Sequence, residues 1–527
     1  MSNPGKRKIL IFSDCDFGQA NVVLSTIYAL VRADPNVEIH VASQPGMQGQ
    51  LSRIIKQVSN DLGSAAAESI KAHNLVGLSH WEAMERPGNP NLDSWACDPT
   101  IPNMVSMLSV LPGITLPWSA EEFVEIYRDV ERVWGEVQPD VTVVENFFAP
   151  ALTFCHNLRP KTPWIVLAPN TIKEFALSAQ PGLPSLWKYP MSVYGSHASF
   201  NSAISYPVPL HQIPLNIFYN VVAMIAILTS RRRGRCINHM NEQLGRGLQL
   251  ITINELGLLA PPPPGIRVMV ANSPDIDFPF DVIPDFMVPC GPITRPAAPI
   301  STEDPELAIW LDRGPTVYMN LGTHRSFDVA KAREVAYAFR SLFDAAKTSH
   351  LSNLQLIWKM PRVASEGDTS GFEGPWKEIK DILESEIDQD RVRIVDWITA
   401  EPKSLLQSGH IVCSVNHGGS NSFHEAICCG IPQVILPGWA DCYDFALRAE
   451  YLGIGKWASR TARPLWKREE LAKGLEEVLL GPQAMDMIRR AQELAKRHPE
   501  GAGRDRAAEE VLKLLDGNNT NGVNGKH

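Results

Sequence analysis

The sequence predicts an α/β protein with two doubly wound, parallel-sheet domains. Short apolar runs alternate with helical periodicity in two separate series, and a proline-rich stretch divides them. At 527 residues, 44% hydrophobic and 20% charged, the chain is globular and too long for one ordinary core.

The first series has strand-like runs at 8–12, 37–41, 141–144 and 164–167. From about 170 to 266 this pattern gives way to segments such as QPGLPSLWKYPMSVYG, which reads as the irregular wall of a pocket. PPPPGIR and FMVPCGPITRPAAPISTEDP then mark the passage between domains. A second series follows in TVYMNLGT, LQLIWKM, VRIVDW, IVCSVNHGG and PQVILPGW. The expected organisation is a first domain over 1–290, a linker over 291–305 and a second domain over 306–482. A C-terminal helix is expected over 483–515, with a disordered polar tail over 516–527.

Bulk properties exclude several classes. A net charge of −9 argues against nucleic acid as a partner. Nine cysteines, an odd number without C-x-x-C spacing, read as reduced thiols in a cytoplasmic protein. The start, MSNPGKRKILIF, is a first strand and not a signal peptide. No Gly-x-Ser-x-Gly, Walker or zinc-ligand spacing occurs. The apolar run 213–229, followed by Arg231, Arg232, Arg233 and Arg235, falls short of a spanning helix and is interrupted by Pro214, Asn216 and Asn220. It is either a buried or substrate-lining helix or a segment lying in a membrane surface beside acidic lipid.

Ligands of such sheets sit at the carboxyl ends of the strands. Three loops therefore become candidates, those after Phe12, Leu321 and Asn416. In the first, Asp14-Cys15-Asp16 admits three readings: a helix cap, a carboxylate aimed at substrate, or two ligands of a divalent ion. His73 and His80 are candidate liners of the same pocket, and His324 lies on the second loop.

The densest signal lies over 414–455. A strand runs into His417-Gly418-Gly419-Ser420-Asn421-Ser422, and a short helix follows, closed by Gly430. Glycines admit close backbone approach, and a helix N-terminus is a site for phosphate. The plainer alternative is a capped helix, because Ser422-x-x-Glu425 has capping-box spacing.

The whole string resembles the nucleotide-sugar signature of the family 1 UDP-glycosyltransferases. The resemblance implies a GT-B fold, two Rossmann-like domains facing a cleft. It also implies inverting, metal-independent transfer of a sugar to a small lipophilic acceptor. Under it, Trp397 stacks on the base, and His417, Gly419, Ser420, Asn421 and Ser422 meet the diphosphate. Glu425 holds the ribose hydroxyls and Asp441 the donor sugar. Gly322 and Thr323 of VYMNLGT also face the diphosphate, and the C-terminal helix crosses back to the first domain. UDP-sugar enters as a co-substrate; no cofactor and no metal is implied.

Departures from the family pattern are specific. The Pro-Gln after the signature Trp is Thr399-Ala400 here. The amides after the sugar-binding acid are replaced by Cys442 and Phe445, which leaves GDP- and dTDP-sugars open beside UDP-sugars. The catalytic His of the family's Gly-His-x-Asn falls on Gln19, which cannot take up a proton at neutral pH. Its orienting acid falls on Glu145, where Asp is usual. Three explanations follow: Asp14 or Asp16 serves as base, the acceptor is already acidic, or the chain binds nucleotide-sugar without chemistry.

Overall fold

The computed structural model describes residues 6–86, 101–191, 204–259, 261–323, 325–363, 374–438 and 441–523. Seven parallel strands form one sheet: β1 (Arg7–Phe12), β2 (Val37–Ser43), β3 (Ile70–Asn74), β4 (Val141–Glu145), β5 (Trp164–Ala168), β6 (Val268–Val270) and β7 (Met287–Pro289). Their order is 3-2-1-4-5-6-7. Six more form a second parallel sheet: β8 (Thr316–Asn320), β9 (Gln355–Lys359), β10 (Val392–Val395), β11 (Ile411–Asn416), β12 (Gln433–Ile435) and β13 (Gly455–Trp457). Their order is 10-9-8-11-12-13.

Strand order reverses at β1/β4 and at β8/β11, so each sheet opens a crevice where neighbouring loops leave in opposite directions. Ile9, Leu10, Ile11 and Phe12 of β1 are all completely buried. Helices cover both faces of such a sheet, so its central strands read as unbroken apolar runs. β3, IKAHN, is an edge strand with only Ile70 buried and carries no such run, which hid it from sequence reading. Between β5 and β6 the described backbone holds helices and loops and no strand, including a helix at Ile213–Leu228 and another at Arg231–Gln243.

The passage between the sheets is not a loose tether. Lys403 Nζ donates to Thr294 Oγ1 at 2.9 Å and to Arg295 O at 3.1 Å, and Arg504 donates to Thr294 O at 3.0 Å. Two buried ion pairs join the domains as well. Lys173 meets Asp444 at 2.6 Å, and Arg448 meets Asp277 at 2.6 Å while also donating to Thr171 Oγ1 at 2.6 Å.

The C-terminal segment differs from the single helix expected over 483–515. It is two helices, Ala484–Arg497 and Ala502–Val523. Pro499 cannot continue a helix, and Gly501, at φ +85°, turns the chain. The second helix lies on the Phe17–Ala33 helix and sinks Ala507, Ala508, Val511 and Leu515 into the first domain's core. Its backbone continues past Asp516, where a disordered tail was expected, and Asp516 is held by Arg7. The last four residues of that expected tail lie outside the described residues.

Candidate active site

β8 and β11 are paired so that Asn320 and Asn416 are register partners at their carboxyl ends. Each asparagine turns its own loop. Asn416 Oδ1 accepts from Gly418 N at 2.8 Å, and Asn320 Oδ1 accepts from Gly322 N at 3.0 Å. Both glycines have positive φ, +78° and +85°. The turns converge on one imidazole: a Cβ on Gly322 would lie 2.8 Å from His417 Cε1, and one on Gly419 would lie 2.4 Å from Nε2. His417 is thus seated between two glycines at which a Cβ would displace the ring.

The helix after this loop spans Ser420–Cys429, with Gly419 as N-cap and no side chain capping it. The capping-box alternative therefore fails, because the helix starts two residues before Ser422. Its first-turn N–H groups have no intrahelical acceptor and present the positive end of the helix dipole to the cleft. Ser422 is half-buried in that turn. Ser420 Oγ donates to Pro169 O at 2.6 Å, and Asn421 Nδ2 reaches Phe17 O and Gly18 O at 3.4 Å. These two side chains, expected on the diphosphate, here bridge to the first domain and bring its first loop against the phosphate loop.

Around this centre lie the other expected residues. Trp397, 53% exposed, is covered by Lys359, whose Nζ lies 3.9 Å from the ring centroid and 3.3 Å from Gly322 O. Burial lowers the Lys359 ammonium to about 8. Sequence reading passed over it; its one signal is a cation ending the apolar run LQLIW, where it is the register partner of Asn320. Glu425, half-buried, is pushed up to about 7 by burial, against the pull of Lys403. Asp441, N-cap of the Cys442–Tyr451 helix, is pushed up to about 7 by burial and then by Glu174 and Asp444. Phe445 does not face the cleft: it is fully buried, with its ring 4.9 Å from Phe423. Thr323 is exposed on the β8 loop. Two residues on, half-buried Arg325 lies over the Trp466 ring at 5.4 Å and donates to Pro464 O at 3.1 Å, a cation that sequence reading also missed. His324 lies outside the described residues.

The first loop is an acid cluster. Asp14 Oδ1 accepts from Asp16 N at 3.0 Å, and its Oδ2 accepts from His80 N at 2.6 Å. Asp16 stands at the N-cap of the Phe17–Ala33 helix, yet its side chain caps nothing. Burial, then the adjacent Asp14 carboxylate, pushes Asp16 up to about 9, so it keeps its proton at neutral pH. Burial also raises Glu145 well above the usual range. Glu145 Oε1 accepts from Phe147 N at 2.8 Å, while Oε2, Gln19 Oε1 and Asn21 Oδ1 are buried with no hydrogen-bond partner among the described residues. Gln19 and Glu145 therefore do not form the bonded pair that the family's His and Asp would.

Ligand atoms of Asp14, Cys15 and Asp16 lie within 4.8 Å of one another. Asp14 already accepts from the amides of Asp16 and His80, and the third donor is a thiol, whereas calcium and magnesium take oxygen ligands. His80 is a core residue with its ring 5.6 Å from Trp118 and 5.2 Å from Phe147, and His73 bonds His40 at 2.8 Å.

The family model for UDP-glucoronosyl and UDP-glucosyl transferases matches residues 377–501, which hold the phosphate loop. Glycosyltransferase sdnJ of Sordaria araneosa is 32% identical over 464 residues, covering 86% of this chain and 83% of its own. The chain belongs to the family 1 UDP-glycosyltransferases. A second relative of this glycosyltransferase, UDP-glycosyltransferase 84A2 of Arabidopsis thaliana, is 26% identical and spans 46% of the chain and 49% of its own. Among solved structures, a UDP-glucosyltransferase from Polygonum tinctorium capable of glucosylating indoxyl superposes with TM-score 0.59 at 16% identity, covering 98% and 100% of the two chains. A UDP-glucose: anthocyanidin 3-O-glucosyltransferase in complex with UDP gives 0.58 at 14% identity, covering 98% and 100%. At such identities the likeness carries the GT-B fold.

Proposed function

We propose that this glycosyltransferase moves a sugar from UDP to a small lipophilic acceptor of specialised metabolism, inverting the anomeric carbon, in the cytoplasm. One observation carries the reading: the uncapped Ser420–Cys429 helix and His417 stand against the first turn of the Phe17–Ala33 helix, which Asn421 Nδ2 reaches at Phe17 O and Gly18 O. As the bond to the anomeric carbon breaks, negative charge grows on the diphosphate. The helix N-terminus and the imidazole are already oriented to receive it. Glu425 accepts from the ribose hydroxyls, Asp441 from those of the sugar, and Trp397 offers a face to the base. Solved neighbours of this fold that act on indoxyl and anthocyanidin support a small planar acceptor by analogy.

The acceptor, on this reading, brings an acidic nucleophile, a carboxylate or an activated phenol. Gln19 takes up no proton, and Asp16 holds one until the pH approaches 9. A general base contributes about 10²–10⁴-fold, so a weakly acidic alcohol would react slowly here. Positioning and diphosphate stabilisation do not depend on it.

Calorimetric titration of UDP, GDP and dTDP, with His417→Ala as control, tests the donor. Selective UDP binding that the variant loses is the expected result; equal or stronger binding of GDP or dTDP overturns the donor assignment. Paired carboxylate and alcohol acceptors then test the base-free route. Faster transfer to the alcohol at pH 7 would refute it.

A further inference from the structure

The Ile213–Leu228 helix is apolar on both sides. Asn216, Tyr219, Ala223 and Ile227 are buried on one side, and Asn216 donates to the carbonyls of Leu186 and Tyr189 at 3.0 Å. The opposite side exposes Ile217, Phe218, Val221, Met224, Ile225 and Leu228, at the i, i+3, i+7 spacing of one helix face. Ile225 is 52% exposed and Leu228 70%. A solvated helix would place polar residues there. The Pro184–Trp187 turn, bonded to this helix through Asn216 and Asn220, exposes Leu183 and Trp187.

Charge is segregated along the same stretch. No Asp or Glu occurs between Glu174 and Glu242, while Lys188, Arg231, Arg232, Arg233 and Arg235 do, in a chain whose net charge is −9. Arg233 is paired with Glu255 and Arg232 is turned to the carbonyl of Pro117. Arg231 and Arg235 are exposed and form no ion pair among the described residues. By length and composition the stretch Leu210–Gln243 could cross a bilayer. Its apolar part, however, is the 16-residue Ile213–Leu228 helix, about 24 Å against the ~30 Å of a hydrocarbon core. Tyr219, Ala223 and Ile227 pack that helix on the domain, so its place is along a surface.

We propose that the outer face of the Ile213–Leu228 helix, with Arg231 and Arg235 beyond it, seats this glycosyltransferase on a bilayer surface rich in anionic lipid. The helix lies in the plane of the interface with its aliphatic side chains among the acyl chains. Trp187 settles at the headgroups and the two arginines meet the lipid phosphates and carboxylates. A protein partner is a poorer match, because protein interfaces carry about one hydrogen bond per 100–200 Å² and the exposed side chains of the helix itself, Ile217, Phe218, Val221, Met224, Ile225 and Leu228, carry no hydrogen-bond donor. The inference stands apart from the donor and acceptor assignments, since it needs only the folded chain.

The test is co-sedimentation of the full chain with phosphatidylcholine vesicles carrying about 30% phosphatidylserine, and with pure phosphatidylcholine. Expected is partition onto the anionic vesicles that weakens with salt. Arg231→Ala and Arg235→Ala should each lower it about fivefold. Ile225→Glu with Leu228→Glu should lower it more than tenfold, roughly two apolar side chains withdrawn from the acyl region. Both changes are at exposed positions, and unchanged UDP binding and melting show that the fold is kept. Phe218→Trp gives an independent readout, with emission shifting blue and quenched by brominated phosphatidylcholine. The proposal is overturned if the chain stays in the supernatant with both vesicles, or if the glutamate variants bind as well as the parent. Self-association abolished by those variants, without any vesicle binding, would assign the face to a second copy instead.

Discussion

Replacing Gly419 by alanine places a Cβ 2.4 Å from His417 Nε2, closer than packed atoms tolerate, so the imidazole must swing out of its seat. The backbone itself has no objection: Gly419 sits at φ −70° and ψ 145°, an ordinary extended conformation for alanine. The substitution therefore separates nucleotide binding from folding. Losing one hydrogen bond to a charged group removes about 1.5–3 kcal/mol. UDP affinity should fall about 10- to 150-fold, while the melting temperature moves by only a few degrees. Calorimetry on Gly419→Ala, His417→Ala and the double variant closes a cycle. If the methyl acts through His417, adding it to His417→Ala changes affinity by less than about twofold. Unchanged UDP affinity in the single variant would refute the seating argument. An undiminished second loss in the double variant would place the methyl's effect on the helix N-terminus and not on the ring.

Other predictions follow from the same geometry. Glu425 sits at about 7, so below that pH its protonated carboxyl no longer accepts from both ribose hydroxyls. UDP affinity should then fall by up to about tenfold per pH unit, and Glu425→Gln should flatten this dependence while weakening binding above pH 7. Asp16, at about 9 in the fold against an ordinary 3.8, keeps a proton that the unfolded chain releases. Its contribution to stability is full below pH 4 and is lost as pH rises toward 9, so Asp16→Asn should melt above the parent at pH 8 and level with it near pH 4. The same variant should keep transfer to a carboxylate acceptor within about threefold at pH 7; a loss of tenfold or more would make Asp16 the base after all. Lys173→Met strands Asp444 in the domain interface. It should destabilise by about 3–5 kcal/mol in denaturant titration, with much of the loss recovered when Asp444→Leu is added.

Much of this was legible in the sequence because it depends on local order. Strand runs such as ILIF, residues 9–12, are apolar along their whole length since both faces of a parallel sheet are covered, and period and punctuation reveal that without partners. The phosphate loop was legible for a similar reason: glycine, histidine and a helix start must be contiguous to build it. What contiguity does not encode was missed. The acid cluster joins Asp14, Asp16, His80 and Glu145 from distant stretches, and only their mutual burial makes Asp16 a protonated group. Lys359 reached the Trp397 ring because β9 and β10 lie side by side. Phe445, which stood as a lost sugar contact in the string, turned out to be core. The sequence by itself determined the two sheets, the crevices at their carboxyl ends and the family. Tertiary structure alone decided which carboxyls are charged, which side chains face the cleft and which apolar helix face is left open. Protonation, orientation and exposure are set by the field and packing of residues far apart in the chain, and no local pattern carries them.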